Sequence, residues 1–226
     1  MLSAFATQFR QSITEAACAT IKLLVSSFGE TGLYGFALYT VDDFAGIVPS
    51  ASFETGFHER RSRLLSDQKR CDWLTEREIG VDRTILGDSR WSIYEWEHEC
   101  FGIENFAHSN EILKTAIEKI VPTDDSDADS QFSAIVLSAL VLGLHDVAMK
   151  NEICPLIRRN STTVFCSMPN STHTNWLERE SAKFLNSNAL FDVFSKERIS
   201  WITDDFDERY EYRNQVLPLF KQKLNA

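Results

Sequence analysis

A chain of 226 residues can bury a full core and still form one domain. Its 43% hydrophobic and 12% aromatic content excludes intrinsic disorder, and a formal net charge of -10 leaves no basic surface for nucleic-acid phosphates or anionic lipid, so the suited partner is a basic protein. The five cysteines, Cys18, Cys71, Cys100, Cys154 and Cys166, are odd in number and show no paired spacing, which argues for a reducing, cytoplasmic setting without a disulfide framework.

Leu2, Phe5, Phe9, Ile13, Ala17, Ile21, Leu24 and Phe28 recur every three or four positions, the stripe of an amphipathic helix that Ser3 would cap and Gly29 would end. Gln8, Arg10, Gln11 and Glu15 interrupt it, so no secretion signal is expected. The aromatic run LYGFALYTV reads as a strand leaving the core at Asp42 and Asp43, and AGIVPSASF as its neighbour, with Pro49 at an edge or bulge. A helix from Glu54 to Leu65 follows, with Phe57, Arg61, Leu64 and Leu65 on adjoining turns. Residues 66–90 are polar and weakly periodic. The segment RWSIYEWEHECF alternates and is expected to be a strand, with Trp91, Ile93, Glu95 and Glu97 on one face and Ser92, Tyr94, Trp96 and His98 on the other.

Ile112, Leu113, Ala116, Ile117 and Ile120 predict a helix ended by Pro122. The acidic connector PTDDSDADS leads into an apolar helix from Phe132 to Met149, whose unbroken apolar part is too short for a bilayer span of roughly 20 residues. A strand at STTVFCSM is followed by a helix that Asn175 and Glu178 would cap, its inner face carrying Leu177, Ser181, Phe184 and Leu185. Helical segments near 190–194 and 208–224 complete the chain. No linker or repeat divides it. The two early strands follow each other directly, which predicts a single α+β domain over 1–226, a mainly antiparallel sheet with helices packed against it.

The motifs with strong mechanical content, GxGxxG, GxxxxGK[ST], GxSxG, HExxH and CxxC, are all missing, and neither a catalytic residue nor a cofactor is assigned. His98 and Cys100, with His108, carry metal-ligating groups, but only two of them are placed together, so no metal is expected. Cys166 alternates with Val164 and Met168 and reads as a buried inert thiol, although His173 is near it in sequence. Asp42, Asp43, Glu95, Glu97 and Glu99 would supply an acid/base pair if their strands lay side by side; surface charge at strand ends explains them more simply. The acidic run Asp204 to Tyr212 reads as a solvated helix start. Trp91, Tyr94 and Trp96 among Glu95, Glu97 and Glu99 form an aromatic segment framed by negative charge, which suits an interface receiving Arg or Lys; core packing is the simpler reading of the tryptophans.

At GFALYTVDD, IVPSAS, RWSIYEWEHE and LERESAKFLN the chain resembles the bacterial family called domain of unknown function 4303 (DUF4303), from Tyr34 to about Phe194. The matching positions are Phe36, Ala37, Tyr39, Asp42, Asp43, Pro49, Trp91, Glu95, Trp96, Glu178, Ser181, Lys183, Leu185 and Asn186. Ser52 departs from an expected Asn, and 66–90 reads as an insertion. The resemblance implies one α+β domain in a bacterial cytoplasmic protein, and no activity.

The expected function is an acidic protein-binding module, immunity-like in that it masks a basic effector such as a nuclease, through Asp42, Asp43, Trp91, Tyr94, Glu95, Trp96 and Glu97. The alternative is a small-ligand domain or enzyme whose cleft carries carboxylates with Tyr39, Glu178 and Lys183. A purely structural subunit is the third reading.

Overall fold

The structure is a computed structural model that describes residues 2–40, 44–78, 80–120, 126–149, 157, 161–169, 171, 173–198 and 211–225. Helix α1 spans Leu2–Phe28 and buries the predicted stripe of Phe5, Phe9, Ile13, Ala17, Ile21 and Leu24. Gly29 terminates it at φ +85°, donating to Val25 O, as expected of a left-handed glycine after a helix. Strand β1 (Leu33–Tyr39) and strand β2 (Val48–Phe53) pair antiparallel. Strand β3 (Thr163–Ser167) joins the other side of β1 in parallel, giving the order β2-β1-β3. The sheet is therefore mixed and small within a mostly helical chain, which corrects the expectation of a mainly antiparallel one. Pro49 lies in β2, an outer strand, where a missing N–H costs no ladder bond.

Each face of the sheet has its own core. Phe36, Leu38, Ala51, Val164 and Cys166 face α1 and the apolar helix α6 (Ser126–Met149). By length and composition Ala128–Met149 could cross a membrane, yet 72% of its most apolar window is buried in the protein. Gly143 lets α6 approach α1: a methyl there would sit 2.7 Å from Ile13 Cγ2 and 3.1 Å from Arg10 O. Thr14 Oγ1 donates to Gly143 O at 3.2 Å across the same contact, and Arg10 grips Asp146 with two bonds of 2.7 and 2.8 Å.

Ala37, Tyr39 and Phe165 face the other way, against helices α2 (Glu54–Ser66) and α4 (Val81–Trp91) and the tryptophans. An irregular register between Leu33 and Gly35 inserts Tyr34 into this second core rather than the first. The unreadable stretch 66–90 holds two short helices, α3 (Gln68–Glu76) and most of α4. Helix α5 covers Ala107–Ile120, and helix α9 (Glu211–Leu224) packs its Val216 and Phe220 into the first core.

Residues 91–102 are not a strand. Trp91 ends α4, Ile93–Glu95 form a single 3-10 turn, and the chain then coils through Cys100 at φ +62° and Gly102 at φ +75°. Left-handed residues cannot continue an extended ladder, so the aromatic alternation here serves a folded turn.

Helix α7 (Thr174–Leu185) closes the open edge of β3. Asn186 Oδ1 accepts from Val164 N at 2.8 Å while its Nδ2 donates to Val164 O at 2.7 Å, imitating a neighbouring strand. Ser181 Oγ accepts from Cys166 N at 2.9 Å, the next outward-facing amide. An edge so occupied cannot template another chain. Helix α8 (Asn188–Glu197) follows, capped by Ser187, with Phe194 in the second core.

Candidate functional site

Parallel pairing of β1 and β3 brings their carboxyl ends together, with Tyr39 opposite Ser167. In open sheets with parallel strands this end is where ligands collect. Ser167 Oγ donates to Glu178 Oε1 at 2.7 Å, and the other oxygen of Glu178 accepts from Arg198 Nε at 2.6 Å. Glu178 is thus a buried partner of β3 and of the residue that ends α8, which corrects its expected role as a helix cap. Burial opposes the charge of Arg198, yet Glu178, with Asp88 further off, raises its pKa above the ordinary value.

On the other side of the same strand ends, the Tyr39 hydroxyl donates to Glu99 Oε1 at 2.6 Å. Burial first and then the Glu99 carboxylate push the Tyr39 phenol upward, so it remains a neutral donor. Its ring meets Tyr94 edge-on, with centroids 5.9 Å apart, and Tyr94 is 44% exposed. Tyr94 also lies within the field of Arg198. Asp88 is paired with Arg70. Among the described residues of this patch, Glu99, Glu178 and Asp88 outnumber Arg198 and Arg70. The sequence-predicted residues Tyr94, Tyr39 and Glu178 therefore meet at one end of the sheet, and Glu99 and Arg198 join them. Lys183 is exposed further along α7 and makes none of these contacts. Asp42 and Asp43, Cys154, residues 122–125 of the acidic connector and the acidic run at 204–210 lie outside the described residues, while the rest of the connector, from Ser126, forms the first turns of α6 rather than a loop.

Trp91 and Trp96 are only 2% and 3% exposed and belong to the second core, so neither is available to a partner. Trp91 Nε1 donates to Glu197 at 3.1 Å and Trp96 Nε1 to Arg90 O at 2.9 Å. Glu95 remains at the surface, paired with Arg63.

Glu97 points inward instead of outward, and its partner is a residue the sequence did not single out. Arg60, 5% exposed on α2, donates to Glu97, to Ser89 O at 2.9 Å and to the hydroxyls of Tyr34 and Ser52 at 2.7 Å each. Glu97 also accepts from Phe53 N and Ser52 Oγ, both at 2.7 Å. Burial alone would raise the carboxyl pKa, but these donors overcome it and hold Glu97 below the ordinary value. Burial pushes the Tyr34 phenol up to about 12 despite the nearby Arg60. The expected inner face of α2 was Phe57, Arg61, Leu64 and Leu65; Phe57 is buried, but its buried companions are Gly56 and Arg60. No signal in the sequence separates Arg60 from its arginine neighbours.

His98 stacks among Phe28, Phe53 and Phe101, with centroids 4.0, 5.3 and 5.9 Å away. Burial lowers its pKa. Among the described residues, no group of three or more His, Cys, Asp or Glu is placed to hold a metal ion. Cys18, Cys71, Cys100 and Cys166 are not joined in disulfides. Burial pushes the Cys166 thiol strongly upward, as expected of an inert core cysteine, and the Cys100 thiol is raised by burial and by Glu99.

The family described as a domain of unknown function (DUF4303) matches residues 13–187. The chain belongs to the DUF4303 family. No curated protein and no solved structure matches it. Several residues of this chain that carry the DUF4303 resemblance have structural work: Phe36, Trp91 and Trp96 fill the two cores, and Ser181 and Asn186 seal the β3 edge. Tyr39 and Glu178 differ from them in placing polar groups at the carboxyl end of the sheet.

Proposed function

We propose that this protein is a binding module whose site is the patch of Tyr39, Tyr94, Glu99, Glu178 and Arg198, receiving a Lys or Arg side chain from a basic protein. The convergence of these groups at the carboxyl ends of β1 and β3 carries the reading. An exposed tyrosine ring beside carboxylates attracts a guanidinium or ammonium by its quadrupole and by charge together. Arg198, held by Glu178, sets the rim and rejects a second cation on that side. A net charge of -10 steers a basic partner toward the chain and makes association depend on salt. The burial of Trp91 and Trp96 shifts the interface from the whole 91–97 segment to Tyr94 and the sheet end. An immunity-like masking of a basic effector in the cytoplasm is one use of such a surface.

The test is capture of a partner from native cells at low and high salt, with the wild type beside Tyr94→Ala and Glu99→Gln. A stoichiometric basic protein, retained at low salt and lost in both variants, is the expected result. Retention indifferent to Tyr94→Ala, or no retained protein, sinks the reading.

The position of Tyr39 and Glu178 at strand carboxyl ends also favours a second reading, a small cationic ligand. Titrating the purified protein with free arginine separates the two, since only the small-ligand reading requires saturable binding.

A further inference from the structure

A groove of about 450 Å³ opens where the first turns of α1, the middle of α6 and the last turn of α9 meet. None of its lining residues belongs to the sheet or to the patch at the sheet end. Its size lies within the range of roughly 300–1,000 Å³ usual for small-molecule sites. Leu2, Ala6, Ile135 and Leu142 give it an apolar wall. At its rim stand two cations, Arg10 and Lys223. Arg10 is already engaged with Asp146, while Lys223 has no hydrogen bond or ion pair among the described residues. The opening turn of α1 also borders the groove, and the first amides of a helix have no intrahelical acceptor and carry partial positive charge. In a chain of net charge -10, a lysine unpaired among the described residues and a helix N-terminus beside one apolar groove run against the global field.

We propose that this groove binds a small amphiphile with an aliphatic body and an anionic head. The body lies along Ala6, Ile135 and Leu142, and the head sits between Lys223 and the start of α1. Carboxylate and phosphate heads share this chemistry. The inference is independent of the patch at the sheet end.

The experiment is calorimetric titration of the full chain, below micelle formation, with dodecanoate, dodecyl phosphate and dodecyltrimethylammonium. Saturable one-to-one binding of an anionic probe is expected, with the cationic probe weaker by about tenfold, as the loss of one charge-assisted contact implies. The anion that binds more tightly identifies the head group. Lys223→Gln is expected to weaken the anion by about two- to fivefold and to leave the cation no weaker, as for a partly exposed charge pair. Ala6→Trp fills the groove and abolishes binding; Thr7→Trp, at an exposed rim position, provides the same block should Ala6→Trp not fold. Equal affinity for the two head charges overturns the proposal. So does undiminished binding in a folded groove-filling variant, or a dimer that occupies the groove and resists dodecanoate.

Discussion

Replacing Gly56 with alanine reverses the sign that helix propensity predicts. Inside a helix alanine is ordinarily better than glycine by about 1 kcal/mol. In α2 the added methyl would fall onto the carboxylate of Glu97, well inside van der Waals contact. Glu97 is flexible in principle, but to move it must release Phe53 N, Ser52 Oγ and Arg60. Arg60, 5% exposed, would then be a buried cation without its carboxylate. Breaking such a pair costs about 3–5 kcal/mol, which the propensity gain offsets only in part, leaving a net loss of about 2–4 kcal/mol. For a chain of this size that lowers Tm by about 5–15 °C. Urea unfolding followed by tryptophan fluorescence measures it, and the decisive comparison is a double-mutant cycle with Glu97→Ala. Once the carboxylate is gone, Gly56→Ala is expected to stabilise by about 0.5–1 kcal/mol. A Gly56→Ala variant more stable than wild type, with Glu97 in place, would refute the reasoning.

Asn186→Ala removes both bonds to Val164, and a loss of about 1–3 kcal/mol in urea unfolding is expected, with a greater tendency to aggregate as the β3 edge opens. An unchanged midpoint would mean that water replaces the side chain fully. The Glu97 pKa is depressed in the folded state, so its stabilisation is complete above the unfolded value of about 4.3 and disappears as pH falls through the lower folded value. Glu97→Gln should accordingly flatten the dependence of stability on pH in that acid window, read from urea midpoints. Tyr34 behaves in the opposite sense: its folded pKa of about 12 exceeds the unfolded value, so its stabilisation is complete below about 10 and is lost as pH rises toward 12. Phenolate absorbance should show one late-titrating tyrosine fewer in Tyr34→Phe.

Helices α1, α5 and α6 were legible because their apolar positions repeat over many turns, and β1, β2 and β3 because short aromatic and β-branched runs end at turn residues. Helices α3 and α4 escaped notice since so few residues anchor them: Leu74 alone is buried in α3, and Thr84, Ile85 and Trp91 lead in α4. The 91–97 segment imitated a strand through its alternation of aromatic and acidic residues. Nothing local announces that Trp96 turns inward to meet Arg90 O, or that Cys100 adopts a left-handed backbone. Adjacent early strands suggested an antiparallel sheet, and the parallel partner of β1 is remote in sequence. The candidate site was legible in fragments: Tyr39, Tyr94 and Glu178 were named for two different surfaces, and the register of β1 with β3 together with the ring contact of Tyr39 and Tyr94 places them on one. Arg60 and Arg198 were invisible because a buried arginine looks like any other until its acceptors are known.

The pairing of Gly35 with Thr163 and of Tyr39 with Ser167 also dictates when the sheet can form. During synthesis β1 and β2 emerge early as a hairpin with one long side bare, and α2, α3, α4, α5 and α6 are all made before its third strand exists. Closing so long a loop is entropically slow, while the contact of α1 with α6 is available sooner. The nascent chain therefore carries an exposed hairpin edge for about half of its production, and the seal that Ser181 and Asn186 place on the finished sheet is the last part of that protection to arrive.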